Sequence, residues 1–139
     1  MAIEQTFGII KPDVYRNDDK CIKAIGIVND IHFSGLCIVE ARKCNLTAHQ
    51  VDEFYKEHSN QPWFHLLREY MTSGPVLLMK IEGEDAVSRY RALCGTTDPK
   101  DANIGTLRHK YASSKEENAV HSSDSVESAK RELGFFFPA

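Results

Sequence analysis

The chain alternates short apolar runs of strand length with longer stretches of helical period, and this alternation restricts its fold more than any other feature. Thr6-Phe7-Gly8-Ile9-Ile10 is an apolar run ended by Lys11-Pro12-Asp13, the pattern of a buried strand feeding a turn. Residues 20–33 carry apolar side chains at 22, 25, 28 and 31, which predicts a helix closed near Ser34-Gly35. Residues 36–41 alternate, with Cys37, Val39 and Ala41 against Ile38 and Glu40, and read as a strand. Thr47-Ala48-His49-Gln50 forms a capping box that opens a helix. One face of that helix carries Val51, Phe54, Tyr55 and His58. Pro62 suits the first turn of a second helix, whose stripe is Trp63, Leu66, Leu67, Tyr70 and Met71. The two make a hairpin across Ser59-Asn60-Gln61. Residues 76–81 form another strand. Residues 84–93 form a helix with Ala86, Tyr90 and Leu93 inward, stopped by Gly95.

Over residues 96–118 the period fades, apart from a short helix over 106–112, and a weakly patterned stretch of this length in a compact chain marks a functional loop. Ala119-Val120 is a brief strand. Asp124-Ser125-Val126-Glu127 is a second capping box, and its helix bears Lys130 and Arg131 late and Gly134 as its stop, an arrangement that suits the helix dipole. The order β-α-β-αα-β-α-loop-β-α predicts an α+β ferredoxin-like sandwich, an antiparallel four-stranded sheet with helices packed on it. One domain over residues 1–139 fits the length.

Composition removes several classes of function. Hydrophobic residues make up 42% and charged residues 27%, an ordinary balance for a globular chain. No apolar run approaches the roughly 20 residues of a membrane helix, so no membrane partner is expected. Met1-Ala2-Ile3-Glu4-Gln5 lacks a basic segment followed by an apolar block, so no secretory leader is expected and the location expected is cytoplasmic. A net charge of −3 argues against a general nucleic-acid binder. An RNA-binding sheet needs exposed aromatics on its central strands; the first strand has only Phe7 and residues 76–81 have none. Cys21, Cys37, Cys44 and Cys94 make no C-x-x-C pair and are read as small apolar residues, reduced in a cytosol.

The chain contains no glycine-rich phosphate loop of the Walker kind, no G-x-G-x-x-G after a strand and no H-E-x-x-H. His109 and His121 have no third ligand at a recognisable spacing, so no protein-held metal is expected. His121 sits between a brief strand and a capped helix, in Asn118-Ala119-Val120-His121-Ser122-Ser123-Asp124-Ser125. Imidazole titrates near neutral pH and can act as a nucleophile. The long loop supplies Thr97, Arg108 and Lys110, and Arg91 lies on the helix before it. Guanidinium groups bind phosphate oxygens in bidentate fashion, so arginines around a histidine point to a phosphate site.

This segment resembles the N-x-x-H-x-S-D-S signature of the nucleoside diphosphate kinases. Gln5 to Asp13 is similar to that family's first strand and its K-P-D turn. Glu53-Phe54-Tyr55 through Gln61-Pro62-Trp63-Phe64 resembles its helical hairpin, and Ser73-Gly74-Pro75-Val76 its S-G-P-V segment. Gly95-Thr96-Thr97-Asp98-Pro99 and Gly105-Thr106-Leu107-Arg108 are similar to its loop. The similarity runs in order over nearly the whole chain. It implies ping-pong transfer of a γ-phosphoryl group, usually from ATP, through a histidine to a nucleoside diphosphate. The phosphohistidine falls at His121, the carboxylate that orients it at Glu132, and a supporting hydroxyl at Ser123. Arg91, Thr97 and Arg108 fall where the family contacts phosphates. Lys11 and Asn118 fall at the ribose hydroxyls, with Lys11 also near the transferred phosphate. Tyr55 falls near the histidine. Trp63 stands where most members stack a phenylalanine on the base, which implies broad base acceptance. The implied cofactor is Mg²⁺ carried mainly by the nucleotide phosphates, and the implied assembly is a homo-oligomer, tetramer or hexamer.

Three departures from the family pattern stand out. Val14 follows Lys11-Pro12-Asp13 at once and Arg16 falls one residue early, with Asn17-Asp18-Asp19-Lys20 replacing a glycine-containing turn. Ser122 stands where glycine or alanine is usual, adding a hydroxymethyl group beside the histidine. Ile104 replaces a residue that is often proline in the assembly loop.

Overall fold

A computed structural model describes residues 3–138. The readings at Met1-Ala2 and at Ala139 lie outside the described residues. The elements are β1 (Ile3–Ile10), α1 (Pro12–Tyr15), α2 (Ile22–Phe33), β2 (Cys37–Cys44), α3 (Ala48–Phe54), α4 (Phe64–Met71), β3 (Val76–Glu84), α5 (Ala86–Cys94), α6 (Leu107–Tyr111), β4 (Val120–Ser122) and α7 (Val126–Phe136). A 3₁₀ turn over Lys56–His58 links α3 to α4.

The four strands form one sheet in the order β2-β3-β1-β4, and every neighbouring pair is antiparallel. This is the ferredoxin-like α+β arrangement. Alternation along the two central strands builds two cores, one on each face. Phe7 and Ile9 from β1 and Val76 and Leu78 from β3 join Val51, Phe54, Met71, Leu133 and Phe136. Ile10, Met79 and Ile81 join Ala24, Ile27, Ile31, Tyr90, Cys94, Leu107 and Val120 on the opposite face. Helices therefore cover both sides, with α3, α4 and α7 on one and α2, α5 and α6 on the other. Each fully buried isoleucine or phenylalanine contributes on the order of 1.5–3 kcal/mol of burial free energy.

Several elements differ in detail from the sequence expectation. Helix α2 turns Ala24, Ile27 and Ile31 inward, while Ile22 and Ile25 are 64% and 55% exposed. Spacings of three and four residues from Ala24 make an equally good stripe, and contact with β1 and β3 selects it. In the hairpin, Phe64 and Met71 are buried and Trp63 and Leu66 exposed, because α4 begins after Pro62-Trp63. In β2 a bulge between Ile38 and Glu40 breaks the expected alternation, as is common on an edge strand. On α5 Leu93 packs part-buried against the core as expected, and Cys94, not expected there, is fully buried.

The C-terminal helix holds two corrections. Its N-cap is Ser125, whose Oγ accepts from the Ser128 backbone N–H at 3.0 Å, one residue beyond the Asp124 box expected. Nor does Gly134 stop it: the helix runs through to Phe136, because Phe136 gains burial in the core beside Phe7. A Cβ at Gly134 meets nothing within 4 Å. Gly134→Ala is therefore expected to stabilise the protein by about 0.5–1 kcal/mol, read as a rise in thermal midpoint; a fall would show that the glycine is needed there.

Capping proceeds as expected elsewhere. Thr47 and Gln50 form the reciprocal box at α3. Gly95 ends α5 with φ +86, a left-handed-side backbone that favours glycine. No helix among the described residues is long and apolar enough to cross a membrane.

Candidate active site

Strand β4 is only three residues long, but its register decides where His121 lies. Ile9 pairs with His121 and Gly8 with Ser122, so the His121 ring shares a face with Phe7 and Ile9. It sits 5.9 Å from the Phe7 ring, 5.3 Å from Phe54 and 6.4 Å from Tyr55, measured between centroids. Ala119, just before the strand, holds φ +75 while fully buried. A non-glycine residue in that region costs about 1–3 kcal/mol, and the kink sets Asn118 and His121 on either side of it.

Gly8 contributes by its missing side chain. A Cβ there would lie 2.7 Å from the Tyr90 hydroxyl. Without it, Tyr90 crosses β1 and donates to the His121 carbonyl at 3.3 Å.

Helix α7 brings Glu132 back under the histidine. His121 Nε2 lies 2.8 Å from Glu132 Oε1, and Ser123 Oγ donates to the same oxygen at 2.8 Å. Ser123 and Glu132 are both buried. A carboxylate only accepts, so Nε2 carries the proton and Nδ1 presents its lone pair. Burial holds the His121 pKa below its usual value; the Glu132 contact opposes this, and the nearby Lys11 and Arg108 charges reinforce it. The ring therefore favours its neutral form more than a solvated histidine does. Glu132→Gln removes the opposing charge, so the His121 titration is expected to move further down. NMR of the ring protons reads the shift, and an upward shift would contradict this assignment.

Lys11 caps the start of α1 at the end of β1. Its Nζ donates to Asn118 Oδ1 at 2.8 Å, and Asn118 Nδ2 donates to the Thr97 carbonyl at 3.3 Å. One chain of contacts therefore ties β1, the approach to β4 and the long loop. Burial, with Arg108 nearby, pushes the Lys11 pKa down to about 8. Arg108 on α6 is buried and donates to the carbonyls of Gly95 at 2.7 Å and Val120 at 2.8 Å. Its Nε and the Tyr55 hydroxyl are buried without partners.

A cleft of about 180 Å³ opens over the histidine, lined by Phe54, Tyr55, Glu57, His58, His121 and Arg131 among others. Trp63 stands 44% exposed at the start of α4, its ring 5.6 Å from His58. Arg91 and Thr97 are exposed, and the Arg91 charge acts on Asp124 beside the cleft. The fold thus gathers His121, Glu132, Ser123 and Tyr55 in one cluster and Lys11, Asn118, Thr97 and Arg108 in another next to it. Trp63 and Arg91 stand at the exposed margin of the cleft, beside His58 and Asp124.

Sequence reasoning missed Phe7, Phe54 and Tyr70 as parts of this site. Phe7 and Phe54 wall the histidine, yet in the pattern they are only core residues. Tyr70, read as part of a hydrophobic stripe, donates its hydroxyl to Asp13 Oδ1; the signal is that a buried tyrosine needs a polar partner. Ser122, which the sequence singles out, lines the cleft beside His121.

The Nucleoside diphosphate kinase family model matches residues 4–139. The nucleoside diphosphate kinase of Bdellovibrio bacteriovorus is 50% identical over 138 residues, covering 99% of this chain and 94% of that one. The Aquifex aeolicus nucleoside diphosphate kinase structure superposes with a TM-score of 0.90 at 35% identity, covering 98% of this chain and 96% of that one. The halophilic nucleoside diphosphate kinase of Halobacterium salinarum, solved in complex with CDP, gives 0.90 at 34% identity, covering 99% and 90%.

Proposed function

The chain belongs to the nucleoside diphosphate kinase family, and from that membership we propose a ping-pong route through His121. His121 Nδ1 attacks the γ-phosphorus of a nucleoside triphosphate, usually ATP; the P–N bond forms as the bond to the β-phosphate oxygen breaks. The acceptor's terminal phosphate oxygen then attacks the same phosphorus, the P–N bond breaks, and the new triphosphate leaves. The observation that carries this reading is a histidine whose Nε2 is tied to buried Glu132 and whose ring lines an open cleft.

Each role has its support. Glu132 steadies the positive charge that develops on the ring, and Ser123 fixes Glu132. Lys11, Arg91, Arg108 and Thr97 hold the phosphates, since phosphoryl transfer depends mainly on positioning and charge neutralisation. The partnerless Arg108 Nε and Tyr55 hydroxyl are donors suited to an anion. Asn118 and Lys11 meet the ribose hydroxyls. Trp63 stacks on the base.

Among the described residues no group of three or more His, Cys, Asp or Glu could hold a metal. The oxygen donors at the cleft, Glu57 and Asp124, fit a Mg²⁺ that arrives on nucleotide phosphates and takes few protein ligands. When bound it neutralises phosphate charge. We further propose a single domain over residues 1–139, a cytoplasmic location and a homo-oligomer, tetramer or hexamer. Exposed Ile22 and Ile25 and the open edge of β2 support the last.

The test is transfer from ATP and Mg²⁺ to GDP, CDP and UDP. All three are expected to be converted at rates within about tenfold, because stacking tolerates every base, and chelation of Mg²⁺ is expected to stop transfer. Conversion of one base alone would remove Trp63 as an indiscriminate platform; conversion of none would reject the proposed activity.

A further inference from the structure

Arg108 sits on a helix that cannot hold itself in place. Helix α6 has five residues, too few for a helix to be stable alone in water. The segments on either side of it contain no strand or helix. Its position therefore follows from what it packs against. On one side lies the end of α5. Thr106, the N-cap of α6, fills the space that a Cβ at Gly95 would take, at 2.7 Å, and Arg108 itself donates to the Gly95 carbonyl. On the other side lies α2.

The contact with α2 has a shaped seat. Gly26 lies inside α2, and its φ is not positive, so no special backbone conformation calls for glycine. A glycine within a helix normally destabilises it. Space calls for it here: a Cβ at Gly26 would collide with the Tyr111 hydroxyl and come within 3.2 Å of Tyr111 Cζ. Tyr111 packs part-buried against the core that α2 covers. One turn further along α2, Asp30 accepts from Lys110 Nζ. Lys110 is one of the loop cations that the sequence groups with the phosphate site; the structure commits it to α2 instead. Lys110 and Tyr111 thus engage one face of α2 at positions four apart. Arg108 belongs to the same turn of α6, and its Nε is buried without a partner.

We infer that Gly26 and Tyr111 form a seat that positions Arg108 for the phosphates, with Asp30 and Lys110 holding α6 onto it. All four are positioning residues, and none of them lines the cleft over His121. The inference rests on the placement of Arg108 in the phosphate site proposed above. The ion pair is partly exposed and adds little by itself; the fit of Tyr111 over Gly26 carries most of the effect.

The direct test follows the Arg108 Nε–H signal by ¹H–¹⁵N NMR, without nucleotide. Four proteins are compared: unaltered, Gly26→Ala, Tyr111→Phe, and the double variant. Gly26→Ala is expected to shift the signal, because Tyr111 must leave its seat and α6 moves with it. Adding Tyr111→Phe removes the colliding oxygen and is expected to return the signal most of the way. In parallel, kcat/KM for nucleotide should fall roughly tenfold or more in Gly26→Ala and be largely regained in the double variant. In an Arg108→Ala background, Gly26→Ala should cost little further, since the group it misplaces is gone.

A folded Gly26→Ala protein with an unmoved Arg108 signal overturns the inference, even if its thermal midpoint falls. An equal loss of kcat/KM in both backgrounds overturns it as well. Should Gly26→Ala fail to fold, Tyr111→Ala empties the seat, and an unmoved signal there is equally decisive against it. Absence of transfer by the unaltered protein would count against the proposed function, and the NMR comparison would still decide the role of the seat.

Discussion

His121→Ala is expected to lose phosphotransfer by roughly 10⁴-fold or more, the scale on which removing a covalent nucleophile acts, while ADP binding stays measurable. The reason lies in how little else at the site can attack phosphorus. Ser123 is committed to Glu132 and buried. Cys94 is fully buried, and burial pushes its thiol up to about 11. Tyr55 is held well above its usual pKa by burial. The substitution also leaves the Glu132 carboxylate with Ser123 and a 3.5 Å contact to Arg131, a loss of about 1–3 kcal/mol in stability. His121→Gln keeps a donor toward Glu132 and separates the two effects. Steady-state turnover, with thermal unfolding as control, measures both. Turnover near that of the unaltered protein in either variant would remove His121 as the nucleophile.

Arg108→Ala is expected to cost both stability and transfer. The guanidinium satisfies the Gly95 and Val120 carbonyls, on the two segments that flank the site. Truncation orphans both, at about 1–3 kcal/mol each. It also removes the buried cation beside Lys11, so Lys11 is expected to regain basicity, because Arg108 is among the causes that lower it. Nucleotide affinity and kcat should fall together. Arg108→Lys keeps charge but lacks the planar fork needed for two carbonyls, so it is expected to rescue binding more than stability. Wild-type stability and kinetics in Arg108→Ala would detach the residue from the site.

Element order and sheet class were legible in the sequence because strand-length runs and caps are local signals, whereas the grouping of the candidate site residues came from the resemblance to the family. The short helix after Thr106 and the stop at Gly95 followed from chemistry of single residues. What was not legible depended on tertiary choice. Two stripes compete on α2, and only packing against the sheet selects Ala24, Ile27 and Ile31. Gly134 is a stop signal that the burial of Phe136 overrides. The shift of the last N-cap from Asp124 to Ser125 is a choice between neighbouring good caps. At the site, the Asp13–Tyr70 bond joins residues 57 positions apart, and no spacing rule reaches that far. The bonds from Arg108 to the Gly95 and Val120 carbonyls were equally hidden, since the sequence pattern shows only the charge.

The most direct test of the central claim is incubation of the protein with γ-phosphate-labelled ATP and Mg²⁺, without acceptor, beside His121→Ala. The account predicts label on the unaltered protein only, acid-labile as a phosphohistidine is, and discharged into GTP or CTP when GDP or CDP is added. Label that is absent from a protein still able to bind nucleotide, or that persists in His121→Ala, would contradict it.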